Sequence, residues 1–505
     1  MKLKAIKKTI VLFAGIATLA SCSEDFLDVN GNGIFIEDKY YSNEIEAFAG
    51  LTAVYDVLGW ETFVGRTAGL NGASDDFYVG GGSSTDTNEL QLWSNYTLNP
   101  NQGPQGEFWA KAYSGVFRAN ILLTKLPAVP MSQAKIDRFT AEAKTLRAYF
   151  YFDLVRLFKN IPLITEPVAV ANYYTIPQVA PEVIFEQIEE DLLAAIPVLP
   201  ATVPTSSEGG RMTQAGARAL LGKVYLWQNK FTAAAEQFAI VNGTPGTMTQ
   251  FGNKLLDNYA DLWDANNKFN SESIIEIVHT KGGKWTDWGN VAGSEGNILN
   301  QMVGPRNYTR LDTIAAEDFV PGYGFNPLTE DLFNAFSDAD ARKDATVLNL
   351  KKLVLDGDAT YSPGYMDTGY FLKKFAGRER NRIVGAGAFE LNWNQNMYEI
   401  RLADTYLMEA EAIVRGGGDI SRAQALLDAV RTRSNMPSIA ATEENIFRER
   451  RIELAGEGHR WYDLVRTGRA ATVLSSRGFV AGKHEVLPIP LLELSNTIIV
   501  QNPNY

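Results

Sequence analysis

The chain has 505 residues, with 47 Lys+Arg against 59 Asp+Glu and a net charge of −12. At 45% hydrophobic and 21% charged it can bury a sizeable core, and roughly 100–200 residues per domain allows several domains or one large helical body. Its acidity argues against nucleic acid and anionic lipid as electrostatic partners. A single cysteine and three scattered histidines, His279, His459 and His484, argue against internal disulfides, multi-Cys zinc and a His-rich metal site, so no metal or cofactor is expected.

Residues 1–8 carry Lys2, Lys4, Lys7 and Lys8, and residues 9–20 are almost wholly apolar or small. A basic start with an apolar run of about a dozen residues is a secretory signal peptide, too short to span a bilayer. The run closes on Leu19-Ala20-Ser21-Cys22, and Cys22 is the only thiol. This resembles a bacterial lipobox, which predicts removal of 1–21 and lipidation of Cys22, with stable anchoring by more than one acyl chain. No later stretch approaches 18 uninterrupted apolar residues.

Further along, Phe139, Ala143, Leu146, Phe150, Leu154 and Leu157 recur at steps of three and four, predicting a helix over 139–158 that Pro162 prevents from continuing. Thr213 is placed to cap a helix over 213–228, and a short link leads to an Ala-rich partner reaching 241. That pair resembles a tetratricopeptide hairpin. The shape recurs at 398–433, as one helix from Tyr398 to Arg415, a triple-glycine stop, and a second to Arg433. A last pair occupies 442–466. The segments 57–105, 242–330 and 355–397 are rich in Gly, Asn, Asp and Trp, and insertions this long are uncommon unless functional.

Trp109, Trp227 and Trp461 sit within helical patterns and read as core, as does Trp263, whereas Trp60, Trp93, Trp285, Trp288 and Trp393 sit in the insertions. Exposed indoles there need a partner. Trp285 and Trp288 suit a platform for a sugar ring, whose apolar face meets indole while Asp, Asn and Arg meet its hydroxyls.

Glu449, Glu453 and Glu457 recur every four residues amid Arg450, Arg460 and Arg466. They predict an internal ion-pair network, since like charges on one helix face repel unless countered. Asp75-Asp76 and Asp338, Asp340 and Asp344 do not have the pattern of a glycosidase acid pair or a calcium loop. No nucleophile elbow, P-loop or dinucleotide fingerprint occurs.

Several motifs resemble the SusD/RagB family, surface lipoproteins of Bacteroidetes that bind nutrients for a TonB-dependent transporter. They are Asp25-Phe26-Leu27-Asp28 behind the lipobox, Ala47-Phe48-Ala49-Gly50-Leu51, and Leu146-Arg147-Ala148-Tyr149-Phe150-Tyr151-Phe152. Further on come Glu449–Leu454 with Glu457–Arg466, then Leu487-Pro488-Ile489-Pro490, then Gln501-Asn502-Pro503-Asn504-Tyr505. The acidic Ser23-Glu24-Asp25 resembles the signal for export to the outer face of the outer membrane.

The resemblance implies a mainly α SusD-like fold over 22–505, with irregular tetratricopeptide-type hairpins and long loop and short-strand insertions. It implies a ligand surface on the insertions 57–105 and 242–330. On this sequence that surface maps onto Asp75, Asp76, Tyr78 and nearby Trp93, and onto 281–310 with Arg306 and Tyr308. The expected function is capture of oligosaccharide at the cell surface, for delivery to a SusC-like transporter, with no catalytic step. The alternatives are a lipid-anchored glycoside hydrolase and a peptide-binding tetratricopeptide scaffold.

Overall fold

The computed structural model describes residues 40–60, 65–280, 295–383 and 387–505. Cys22, Trp285 and Trp288 therefore lie outside the described residues. The fold is mainly helical, with paired-helix hairpins and only two-stranded sheets among those residues.

The N-terminal half is a stack of helices: α1 (Glu44–Asp56), α2 (Arg66–Ala73), α3 (Asn88–Ser94), α4 (Gln105–Lys125), α5 (Gln133–Phe158) and α6 (Pro181–Ala195). Helix α5 is six residues longer at its start than its apolar stripe predicts. From Thr145 to Phe158 every side chain is buried. Neighbours on all sides explain this, since α1, α4 and α6 all pack against it. Gly115 of α4 has no side chain where the Phe150 ring lies, so the two helices approach closely.

Two hairpins follow. Helices α7 (Gln214–Trp227) and α8 (Phe231–Asn242) pair, and Thr213 caps α7 by accepting from the Gly216 N–H at 3.2 Å. Helices α9 (Leu402–Gly416) and α10 (Ile420–Arg433) form the second hairpin, and α8 also packs along α9. The expected single helix from Tyr398 is corrected here. Residues Met397–Arg401 are a strand, β2, antiparallel to β1 (Ser273–Ile277). The helix begins only at Leu402, because the 398–401 backbone is spent on the ladder. Helices α11 (Glu443–Glu453) and α12 (Arg460–Arg466) follow, ahead of a C-terminal segment with only short helical turns.

The predicted charge network exists, with different partners from those its sequence neighbours suggest. Arg401 reaches Glu272 at 2.8 Å, Glu453 at 2.6 Å and Glu457 at 2.9 Å. Arg342 holds Glu449 at 2.6 Å and Glu453 at 2.9 Å, Arg433 pairs with Glu272 and Glu453, and Lys374 holds Glu457 at 2.8 Å. The nearby arginines serve other acids: Arg450 binds Asp404 and Asp463, Arg466 binds Glu411 and Asp463, and Arg460 binds Asp75. A four-residue spacing marks the face but not the partner, which arrives from distant sequence.

Phe150 is 1% exposed, between Leu146 and Leu154. Phe150→Ala should cost roughly 3–5 kcal/mol of unfolding free energy; a loss below about 1 kcal/mol in denaturant titration would contradict this packing.

Candidate ligand-binding face

The turn after α1 presents Trp60, which is half-buried. Its indole N–H donates to Asp56 Oδ2 at 2.9 Å, and Arg118 bonds the same carboxylate while lying 4.8 Å over the ring. Lys111 Nζ donates to the carbonyls of Leu58 and Trp60, at 3.1 and 2.5 Å. The ring is thus fixed in orientation before any ligand meets it, which lowers the entropic cost of binding.

The insertion that carries Trp285 and Trp288 is rooted beside this corner. A Cβ on Gly59 would lie 3.6 Å from the Val278 carbonyl, and the Thr280 N–H donates to the Glu295 carbonyl at 2.8 Å. Residues 280 and 295 therefore meet at one point close to Trp60. His279 beside it is buried, and burial together with Lys111 pushes its pKa down to about 3. It is neutral near pH 7 and is no proton donor.

A second concavity, of about 830 Å³, is bordered by Asp75, Tyr78, Glu330, Tyr361, Asp367 and Arg477 among others. Its walls come from distant segments joined through backbone: the Tyr78 N–H donates to the Pro327 carbonyl at 3.0 Å, Gly81 to Gly324 at 2.9 Å, and Tyr365 to Gly81 at 2.9 Å. Tyr361 donates to Asp367 at 2.9 Å, and Arg477 lies 5.1 Å over the Tyr78 ring.

The structure separates the residues expected at the site. Tyr78 lines the second concavity, whereas Arg306 does not and is half-buried against Gly82 and Gly364, donating to the Tyr323 carbonyl at 3.2 Å. Asp75 is engaged by both arms of Arg460 at 2.8 Å, and Asp76 by Arg451 at 2.6 Å. Burial works against the charge on Asp75, but the Arg460 fork outweighs it and lowers the pKa; Asp76, buried beside that charge, is pushed up to about 6. These acids bolt the loop to α11 and α12.

Trp93 is 1% exposed, edge-on to Phe108 and Trp461. A Cβ on Gly69 would meet its ring at 2.7 Å, so the glycine there serves packing. Tyr308 is buried, with its hydroxyl donating to the Glu317 carbonyl at 2.8 Å. As ligand contacts, Trp93, Asp76 and Tyr308 are corrected to scaffold, and Trp393, 2% exposed, is likewise interior. Sequence reasoning flagged Trp60 without placing it at a site, and Lys111 and Arg477 gave no signal at all.

Comparison with known proteins gives one answer along the chain. The profile of the SusD family matches residues 329–479, and one described as "Starch-binding associating with outer membrane" matches 52–226. A SusD-like protein of Formosa agariphila is 25% identical over 98% of both chains, and one of Bacteroides ovatus 26% identical over 92% of this chain and 82% of its own. Among solved structures, a laminarin-binding SusD-like protein is 51% identical with a TM-score of 0.89, over 92% of this chain and all of that one. Surface glycan-binding protein A from Bacteroides thetaiotaomicron, in complex with laminarihexaose, is 27% identical with a TM-score of 0.82, over the same shares.

Because Trp93 is a core residue, Trp93→Ala should lower unfolding free energy by roughly 3–5 kcal/mol and leave affinity for any surface ligand intact in the folded protein. A calorimetric titration showing lost affinity at unchanged thermal stability would contradict this placement.

Proposed function

The chain belongs to the SusD/RagB family, and from that premise we propose that it captures a β-glucan of the laminarin type at the cell surface and performs no chemistry on it. The observation that carries this reading is the likeness, at 51% identity over 92% of the chain, to a protein whose name records laminarin binding. The structure supports it physically. Trp60 is a pre-oriented indole at the base of the insertion holding Trp285 and Trp288, and stacking on such rings recognises a repeating sugar face without deforming the protein.

The same reading extends to location and partner. Cys22 closes the lipobox and would carry the lipid anchor, and none of the described helices is long and apolar enough to cross a membrane. The chain would sit on the outer face of the outer membrane and pass its cargo to a SusC-like TonB-dependent transporter. Moderate affinity suits that task, since a cargo held too tightly is not released.

Calorimetric titration of the mature protein with laminarihexaose tests the reading. Wild type should bind, and Trp285→Ala and Trp288→Ala should each weaken binding by about 2 kcal/mol or more, as an aromatic hot spot does. Failure of wild type to bind laminarihexaose would overturn the β-glucan assignment. Normal binding by both variants would overturn the platform.

A further inference from the structure

The chain between the paired strands Ile161–Pro162 and Gln178–Val179 is held to the body at its base. The Ile164 carbonyl accepts from the Tyr151 hydroxyl at 2.7 Å and from Asn120 at 2.8 Å, and the Thr165 carbonyl accepts from Arg147 at 2.9 Å. Residues 169–175 beyond it are all exposed, Val170, Tyr173 and Tyr174 among them. Apolar side chains gathered on a surface in this way mark a contact site.

A groove of about 410 Å³ lies between this segment, α4 and the C-terminal chain. Trp109, Tyr113, Phe117 and Tyr173 line it, and Phe117 and Tyr173 are each half exposed. The C-terminal chain is joined to the same place, since the Val500 N–H donates to Gln178 Oε1 at 2.9 Å. Aliphatic residues stand beside the lining ones in the chain and face water: Val170 is 73% exposed, Leu492 85% and Val500 71%.

The charges at the groove are one-sided. Its lining includes Glu166 and Glu493 and no Lys or Arg, and among the described residues neither acid has an ion pair. Burial pushes the Glu493 carboxyl above its ordinary range, against a hydrogen bond from the Trp109 side chain. These features select the occupant. A sugar uses flat rings and hydroxyl-bonding groups, and leaves exposed Val and Leu unmatched. An anionic bilayer, or a second copy of this acidic chain, would set negative charge against both carboxylates. An apolar segment carrying a cation covers the aliphatic flanks and sets its charge against the carboxylates and rings.

We propose that this groove docks a partner protein, through a segment in which arginine or lysine alternates with apolar residues. At 3.6 residues per turn, Trp109, Tyr113 and Phe117 fall on the face of α4 roughly opposite Lys111 and Arg118, which hold Trp60. The groove is therefore a different surface from the glycan corner and does not rest on the glycan reading.

Fluorescence anisotropy of the mature chain with a labelled peptide alternating leucine and arginine tests the proposal at physiological ionic strength, where diffuse attraction is screened. That peptide should bind roughly tenfold or more tightly than leucine–glutamate and serine–arginine controls, since it alone meets both features. Phe117→Ala, Tyr173→Ala and Glu493→Gln should each weaken it roughly fivefold or more, as truncating an interface anchor does. None of the three side chains is fully buried, so the variants should keep the wild-type melting temperature, and saturating laminarihexaose should leave peptide affinity unchanged. Absence of leucine–arginine binding, equal binding of either control, or unchanged affinity in all three variants would overturn the site. So would laminarihexaose binding that Tyr173→Ala abolishes, making the groove a sugar site. Adsorption to phosphatidylglycerol vesicles, or dimerisation, that Phe117→Ala abolishes would also overturn it, making the groove a membrane face or a self-contact.

Discussion

Arg401 is the residue on which the described architecture turns. A guanidinium that is 1% exposed would be prohibitively costly alone. Here its donors are taken up by Glu272, Glu453 and Glu457 and by the Glu453 carbonyl. Glu453 in turn binds Arg342 and Arg433. Burial opposes its charge, yet these three arginines outweigh burial and hold its carboxyl well below the usual carboxylate range. The cluster joins β2, the root of β1, α10, α11 and the segment around Arg342. Removing one member of such a set leaves the others buried and unmatched, a loss of roughly 3–5 kcal/mol in comparable pairs. The energetic case for buried ions is weak compared with apolar packing, so their contribution here is geometric, fixing register among segments far apart in sequence.

That geometry explains where function is free to reside. Hairpins α7–α8 and α9–α10 are committed to each other and to the cluster, so their faces are spent on packing. The insertions remain adjustable, and the cluster with the Asp75–Arg460 and Asp76–Arg451 pairs bolts them to the body. Changing a ligand then requires changing loop residues only, while the charge lattice beneath remains.

The scaffold was largely legible in the sequence. The stripe of Leu146, Phe150 and Leu154 is buried as its spacing required, and Thr213 caps its helix. The acids at 449, 453 and 457 form an internal network, although their partners come from Arg342, Arg401, Arg431, Arg433 and Lys374. Periodicity shows that a face is buried, whereas pairing between residues 18 to 111 positions apart leaves no local trace. The site was less legible for a related reason. Segment 57–105 reads as a loop because it is rich in glycine, yet Gly69 is there so that Trp93 can seat against α2. Likewise Asp75-Asp76 reads as part of a ligand surface until Arg451 and Arg460 arrive from the far end of the chain. Small and charged residues look alike at a surface and at a tightly packed joint.

Native-state hydrogen exchange of the mature protein, with and without laminarihexaose, tests most directly the claim that a rigid charge-locked body carries a separate binding surface. The account predicts added protection confined to amides around Trp60 and to 278–297, with α9, α10 and α11 unchanged. Protection appearing along the helices of the α7–α8 and α9–α10 hairpins, with none around Trp60, would contradict it, placing the ligand in a helical groove instead.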